Sequence, residues 1–166
     1  TIASEHLIRF GVLQERMPEM RWKSTVNQIC ADAQQFVDMV YNGYDTILLD
    51  RSLNRNFHEL KKIKKAQDMI NNKLEGTGRK KILTSLLIKE GCVYRCPFKR
   101  EHDGVGEFVS TDYFNDLGNV SCVRWKALSP NENMPRMGID IVMTEAESFK
   151  DYLEYVDILK YSGRFT

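Results

Sequence analysis

Cys92, Cys96, Arg100 and His102, with Glu90 just ahead of them, crowd the second half of one stretch, residues 81–102, KILTSLLIKEGCVYRCPFKREH. Thiolates are the natural ligands of iron–sulfur clusters and of zinc, because soft sulfur suits both. Cys92 and Cys96 would supply two such ligands, Cys122 a third, and Cys30 or His102 a fourth. The plain alternative is packing, since free cysteines are among the most buried residue types. His102 sits among Lys99, Arg100, Glu101 and Asp103, where a surface role is the competing reading. Lys99 stands where a Cys-x₃-Cys-x₂-Cys motif would need its third cysteine, which excludes that motif. Glu90 follows the apolar run of residues 82–88, and desolvation there favours a protonated carboxyl suited to acid–base work. Its alternative is an ion pair with Arg51 or Arg164.

A second cluster, Asp50, Arg51, Asn54 and Arg55, closes another apolar run. Two arginines grip a carboxylate or phosphate through paired donors, with Asp50 orienting one of them or acting as base. The structural alternative is a salt-bridge network in which Asn54 caps the following helix. Ser162, Gly163 and Arg164 form a third polar set, and Gly163 would let the backbone approach a ligand closely.

These groups need elements to hold them. Residues 5–15 carry Leu7, Ile8, Val12 and Leu13 in a short amphipathic pattern that Pro18 ends. Residues 21–26 read as a strand and residues 33–42 as a helix stopped by Gly43. Residues 45–50 read as a strand and residues 57–74 as a helix, with Leu60, Ile63, Ala66 and Ile70 on one face. Lys61, Lys62, Lys64 and Lys65 coat its other side as a solvated surface. Glu75-Gly76-Thr77-Gly78 turns the chain into a strand at residues 82–88. Residues 103–135 are irregular and read as a long loop or lid. A strand at 139–143, a helix at 145–155 capped by Thr144 and facing inward through Phe149, Leu153 and Val156, and a strand at 156–161 complete the order.

Strand and helix thus alternate, and repeated right-handed βα units make a parallel sheet. The expected fold class is α/β, TIM-barrel-like, in one domain spanning residues 1–166. The strands are too few for a complete eight-stranded barrel. With Thr1 in place of an initiator Met, the expectation is a partial barrel lacking N-terminal strands, the C-terminal part of a longer chain. Its open edges would favour a homo-oligomer or a missing N-terminal segment as partner.

Composition narrows the classes. At 166 residues with 42% apolar content, the chain can build one real core. A net charge of +1 argues against dedicated nucleic-acid binding. No apolar run reaches the length of a membrane span and no signal-peptide pattern opens the chain, so a cytoplasmic setting with reduced thiols is expected.

Three motifs in order, DRSLNRN at 50–56, IKEGCVYRCPF at 88–98 and KYSGR at 160–164, together with His102, resemble bacterial proteins related to the collagenase-like peptidase family, the peptidase U group of unclear catalytic type. The resemblance spans roughly residues 24–164. It implies a TIM-type barrel and, from relatives that support oxygen-independent hydroxylation of ubiquinone precursors or RNA bases, a cysteine-ligated iron–sulfur cluster. The Cys92-x₃-Cys96 spacing followed by Cys122 differs from that of the cluster-bearing relatives.

Two function classes follow. One is an enzyme with Glu90, Asp50 and Arg51 as catalytic groups and Asn54, Arg55, Ser162 and Arg164 binding a small anionic or nucleobase-like substrate. The other is a non-catalytic scaffold or assembly subunit with structural cysteines.

Overall fold

The fold was taken from a computed structural model, which describes residues 5–87 and 148–160. Helices α1 (Glu5–Arg9), α2 (Val12–Arg16) and α3 (Ala33–Tyr41) precede strand β1 (Thr46–Leu49). A 3₁₀ turn (Arg51–Arg55), helix α4 (Phe57–Leu74), strand β2 (Leu83–Leu87), helix α5 (Ser148–Leu153) and strand β3 (Ile158–Lys160) follow. The strands form one parallel sheet in the order β1-β2-β3, so neighbours in sequence are neighbours in space. In register, Leu48 lies beside Ser85 and Leu49 beside Leu86; Ser85 in turn lies beside Ile158, and Leu87 beside Lys160.

Paired residues of a parallel sheet point to the same side, and alternate residues to opposite sides. One face therefore carries Ile47, Leu49, Thr84, Leu86 and Leu159. The apolar members of this face join a single core with Phe36 and Met39 of α3, Leu60 and Ile63 of α4, and Tyr152 of α5. The other face carries Thr46, Leu48, Leu83, Ser85, Leu87, Ile158 and Lys160.

Local chemistry explains the helices. Asp32 caps α3 by accepting from the Gln35 amide at 2.8 Å. Gly43 ends it at φ +103°, with Gly43 N donating to Val40 O and Tyr44 N to Met39 O, a Schellman motif. A β-carbon at Gly43 would fall 2.5 Å from Gln14 Nε2. On α4, Leu60, Ile63 and Gln67 are buried while Lys61, Lys62 and Lys65 are exposed, the solvated lysine face that the periodicity predicts.

Several sequence expectations change. The pattern over residues 5–15 breaks into two short helices at Gly11, which sits at φ +70°, and buries Ile8 but leaves Leu7 and Val12 exposed. The cap of α4 is Asn56, whose Oδ1 accepts from Glu59 N at 3.2 Å, rather than Asn54. On α5 the inward residue is Tyr152, followed by Val156 beyond the helix, whereas Leu153 is exposed.

Residues 21–26 do not form a continuous strand. Lys23 and Cys30 each make an isolated parallel bridge, to Thr46 and Leu49, and a 3₁₀ turn at Val26–Gln28 loops out between them. Seven residues on this edge span the distance that β1 covers in three, so the extra length must leave the sheet. Ser24 repairs the gap, its Oγ accepting from Leu48 N at 2.7 Å. The chain re-enters through Ile29 at φ +52°, a conformation that costs a β-branched residue about 1–2 kcal/mol. The expected strand at 139–143 and the loop at 103–135 lie outside the described residues.

Candidate functional site at the C-terminal edge of the sheet

Parallel strands present their C-terminal ends along one edge, where α/β proteins usually build their sites. β1 delivers Asp50, Arg51, Asn54 and Arg55 to that edge, and β2 ends there at Leu87. Asp50 N donates to Cys30 O at 2.7 Å, and Asp50 Oδ1 accepts from Ser52 N at 2.8 Å, which starts the 3₁₀ turn. The turn swings Asn54 beneath the end of β2, where its Nδ2 donates to Leu87 O at 2.9 Å. Tyr152 of α5 donates its hydroxyl to Asn54 O at 2.5 Å. Asn54 is thus a fully buried tie between β1, β2 and α5.

The four rim residues separate by burial. Asp50 and Arg51 are buried with Asn54, but Arg55 is exposed. Arg55 is therefore the member of this set most available to an incoming anion, whereas Asn54 is committed to holding the strand ends together. Glu90, Cys92, Cys96, His102, Cys122, Ser162 and Arg164 lie outside the described residues.

Cys30 is the metal-ligand candidate whose surroundings are described. Its side chain is 0% exposed within the apolar core. Burial first, then the carboxylates of Asp32 and Asp50, push its thiol from 9.0 up to about 12. A neutral buried thiol packs well, the plain alternative to ligation. In these surroundings Cys30 is a packed core thiol, and the other candidate ligands lie outside the described residues. Its raised folded-state value also has a thermodynamic consequence. The stabilisation from keeping the thiol neutral is complete below 9.0 and is lost as pH rises toward about 12. Denaturant unfolding across that window should show a decline in stability that Cys30→Ala lacks. Equal pH slopes in both proteins would contradict the assignment.

Polar ties to buried groups extend beyond the rim, and composition alone does not reveal them. Asp157 Oδ2 accepts from Thr84 N at 2.8 Å, Thr84 Oγ1 at 3.0 Å and Gln67 Nε2 at 2.5 Å. On the opposite face of the sheet, Lys23 Nζ donates to Ser85 Oγ at 2.8 Å. Burial, then the cation of Lys160, hold the Lys23 ammonium below the ordinary lysine range. The Trp22-Lys23-Ser24 alternation was the available signal, since it turns Lys23 away from the Trp22 side.

A groove of about 500 Å³ opens at the other end of the sheet, lined by Trp22, Tyr44, Asp45, Ile82 and the last turns of α3 and α4. Those residues precede the strands, so the groove is remote from Asp50 and the strand ends. No described helix is long and apolar enough to cross a membrane. No family model matches the chain, and neither a curated protein nor a solved structure matches it.

Proposed function

We propose that this chain belongs to a singly wound βα barrel and acts as an enzyme on a small anionic or nucleobase-like substrate at the C-terminal rim. The observation that carries this reading is the sequential strand order β1-β2-β3, with α3, α4 and α5 all in the core on one face. Right-handed crossovers that never reverse direction keep their helices on one side, the arrangement that curls a sheet toward a barrel. The same geometry brings the end of β2, from which the sequence runs on into residues 88–102, to the edge where Asp50 and Arg51 sit. Under this reading Arg55 and Arg164 bind the anion, Glu90 and Asp50 handle protons, and Arg51 orients Asp50. The collagenase-like peptidase resemblance supports the same fold. It also supports a cluster or zinc held by Cys92, Cys96 and Cys122, with His102 or Cys30 as the fourth ligand.

A scaffold role is favoured by one specific observation, the commitment of Asn54 to Leu87 and Tyr152. The test has two arms. Anaerobic purification of the full chain, followed by absorption spectroscopy and assays of iron, sulfide and zinc, should find bound metal that Cys92→Ser and Cys96→Ser lose. Inorganic phosphate and a nucleoside monophosphate should raise the melting temperature of the wild-type chain, and Arg55→Ala should abolish the rise without altering the unliganded protein. A metal-free protein indifferent to both anions would overturn the enzyme reading in favour of the scaffold.

A further inference from the structure

We propose that Lys23 is a reactive amine that condenses with the carbonyl of a small oxo-acid to form an imine on the sheet face opposite the helices. The inference goes beyond the reading above, because it requires neither a rim residue nor a metal. It begins with placement. Lys23 lies beside Thr46, and the alternation of the strands puts Thr46, Leu48, Ser85, Ile158 and Lys160 on this one face. Phe36, Leu60, Ile63 and Tyr152 pack on the other. The Lys23 side chain is half-buried and crosses β1 to reach Ser85 Oγ, 2.8 Å from Nζ. Ser85 is fully buried and Lys23 half-buried, so of the two Lys23 is the more exposed to a ligand.

The charge environment supports the placement. Among the described residues no carboxylate pairs with Lys23, and the charged neighbour on its face is Lys160. Asp45 and Asp50 flank the two ends of β1: Asp45 is bound to Trp22 N and Arg21, and Asp50 to Ser52 N. A lysine desolvated beside a second cation releases its proton more easily, and the free amine is the nucleophile. Lys160 would then serve twice, once in lowering the proton affinity of Lys23 and again as the anchor for the carboxylate of an oxo-acid.

The step balances without an oxidant or reductant. The Nζ lone pair attacks the carbonyl carbon, and the carbonyl electrons move to oxygen, which takes up a proton. The carbinolamine then expels that oxygen as water and leaves a protonated imine. Ser85 Oγ accepts an N–H from the amine, which fixes the direction of the remaining lone pair.

Reductive trapping tests the proposal. The full chain is incubated at neutral pH with glyoxylate and sodium cyanoborohydride, and the labelled lysines are mapped by peptide mass spectrometry against time. Lys23 should be labelled about tenfold faster than the exposed α4 residues Lys61 and Lys65, as expected of an activated lysine. Lys160→Met, a change at an exposed position, should slow labelling at Lys23 and leave Lys61 and Lys65 unchanged. Lys23→Arg should remove the fast phase while leaving the circular dichroism spectrum intact. Labelling of Lys23 no faster than Lys61, or a rate indifferent to Lys160→Met, would overturn the proposal. Neither result bears on metal content or on phosphate binding at Arg55, so the two readings fail separately.

Discussion

Asp157→Ala is expected to lower the unfolding free energy by about 1.5–2 kcal/mol, the lower end for losing hydrogen bonds to a charged group. Asp157 stands just before β3 and uses its carboxylate as the first rung between that strand and β2. Its Oδ2 receives Thr84 N and Thr84 Oγ1, and it also receives Gln67 Nε2 from α4. Thr84 is fully buried, but Asp157 itself is exposed, so water entering at its place offsets part of the loss. Gln67 keeps its bond to Ile82 O, which limits the damage on the helix side. Urea denaturation should therefore show a lower midpoint with an unchanged slope, since the mutation alters stability and not the surface exposed on unfolding. A loss below about 0.5 kcal/mol, the size of an ordinary surface substitution, would mean that Asp157 is not a structural tie.

Leu86→Ala should cost about 3–4 kcal/mol, within the range for deleting a leucine from a rigid core. Leu86 occupies the middle of the central strand, beside Leu49 on one side and Leu159 on the other, and is 0% exposed. Its face is the one that α3, α4 and α5 cover, so an alanine leaves a hole bounded by a sheet and helices that cannot all close at once. Leu83→Ala, at a half-buried position on the other face of the same strand, should cost much less. Thermal unfolding of the two variants compares the faces directly. Equal losses would mean that the helices do not define a single core face.

The long helix α4 was legible to the residue. Leu60 and Ile63 recur at helical spacing, Gly76 follows the run and no competing pattern intrudes, although the cap is Asn56 and not the expected Asn54. The cores of β1 and β2 were legible for a similar reason, as short aliphatic runs ending in polar clusters. The parallel α/β class followed from the alternation of these elements. Residues 5–15 were less so, because a hydrophobic pattern gives no warning that Gly11 will take a left-handed conformation and split the helix. The rim was half legible: Asp50, Arg51, Asn54 and Arg55 do gather after β1, but their division into buried ties and one exposed arginine was not.

By itself, then, the sequence determined α3, α4, β1 and β2 and the polar cluster that follows β1, because periodicity and turn chemistry act over a few neighbours. Only the tertiary structure decided what the polar side chains do. Asn54 takes the carbonyl of Leu87 from thirty-three residues away, and Asp157 binds Thr84 across seventy-three. Ser24 supplies the acceptor that an interrupted strand lacks, and Lys23 lies across the sheet against Ser85. A hydroxyl, an amide or an ammonium carries no mark of its partner in one dimension. Its role is set by which backbone groups the fold leaves unpaired beside it, and burial then makes that pairing obligatory.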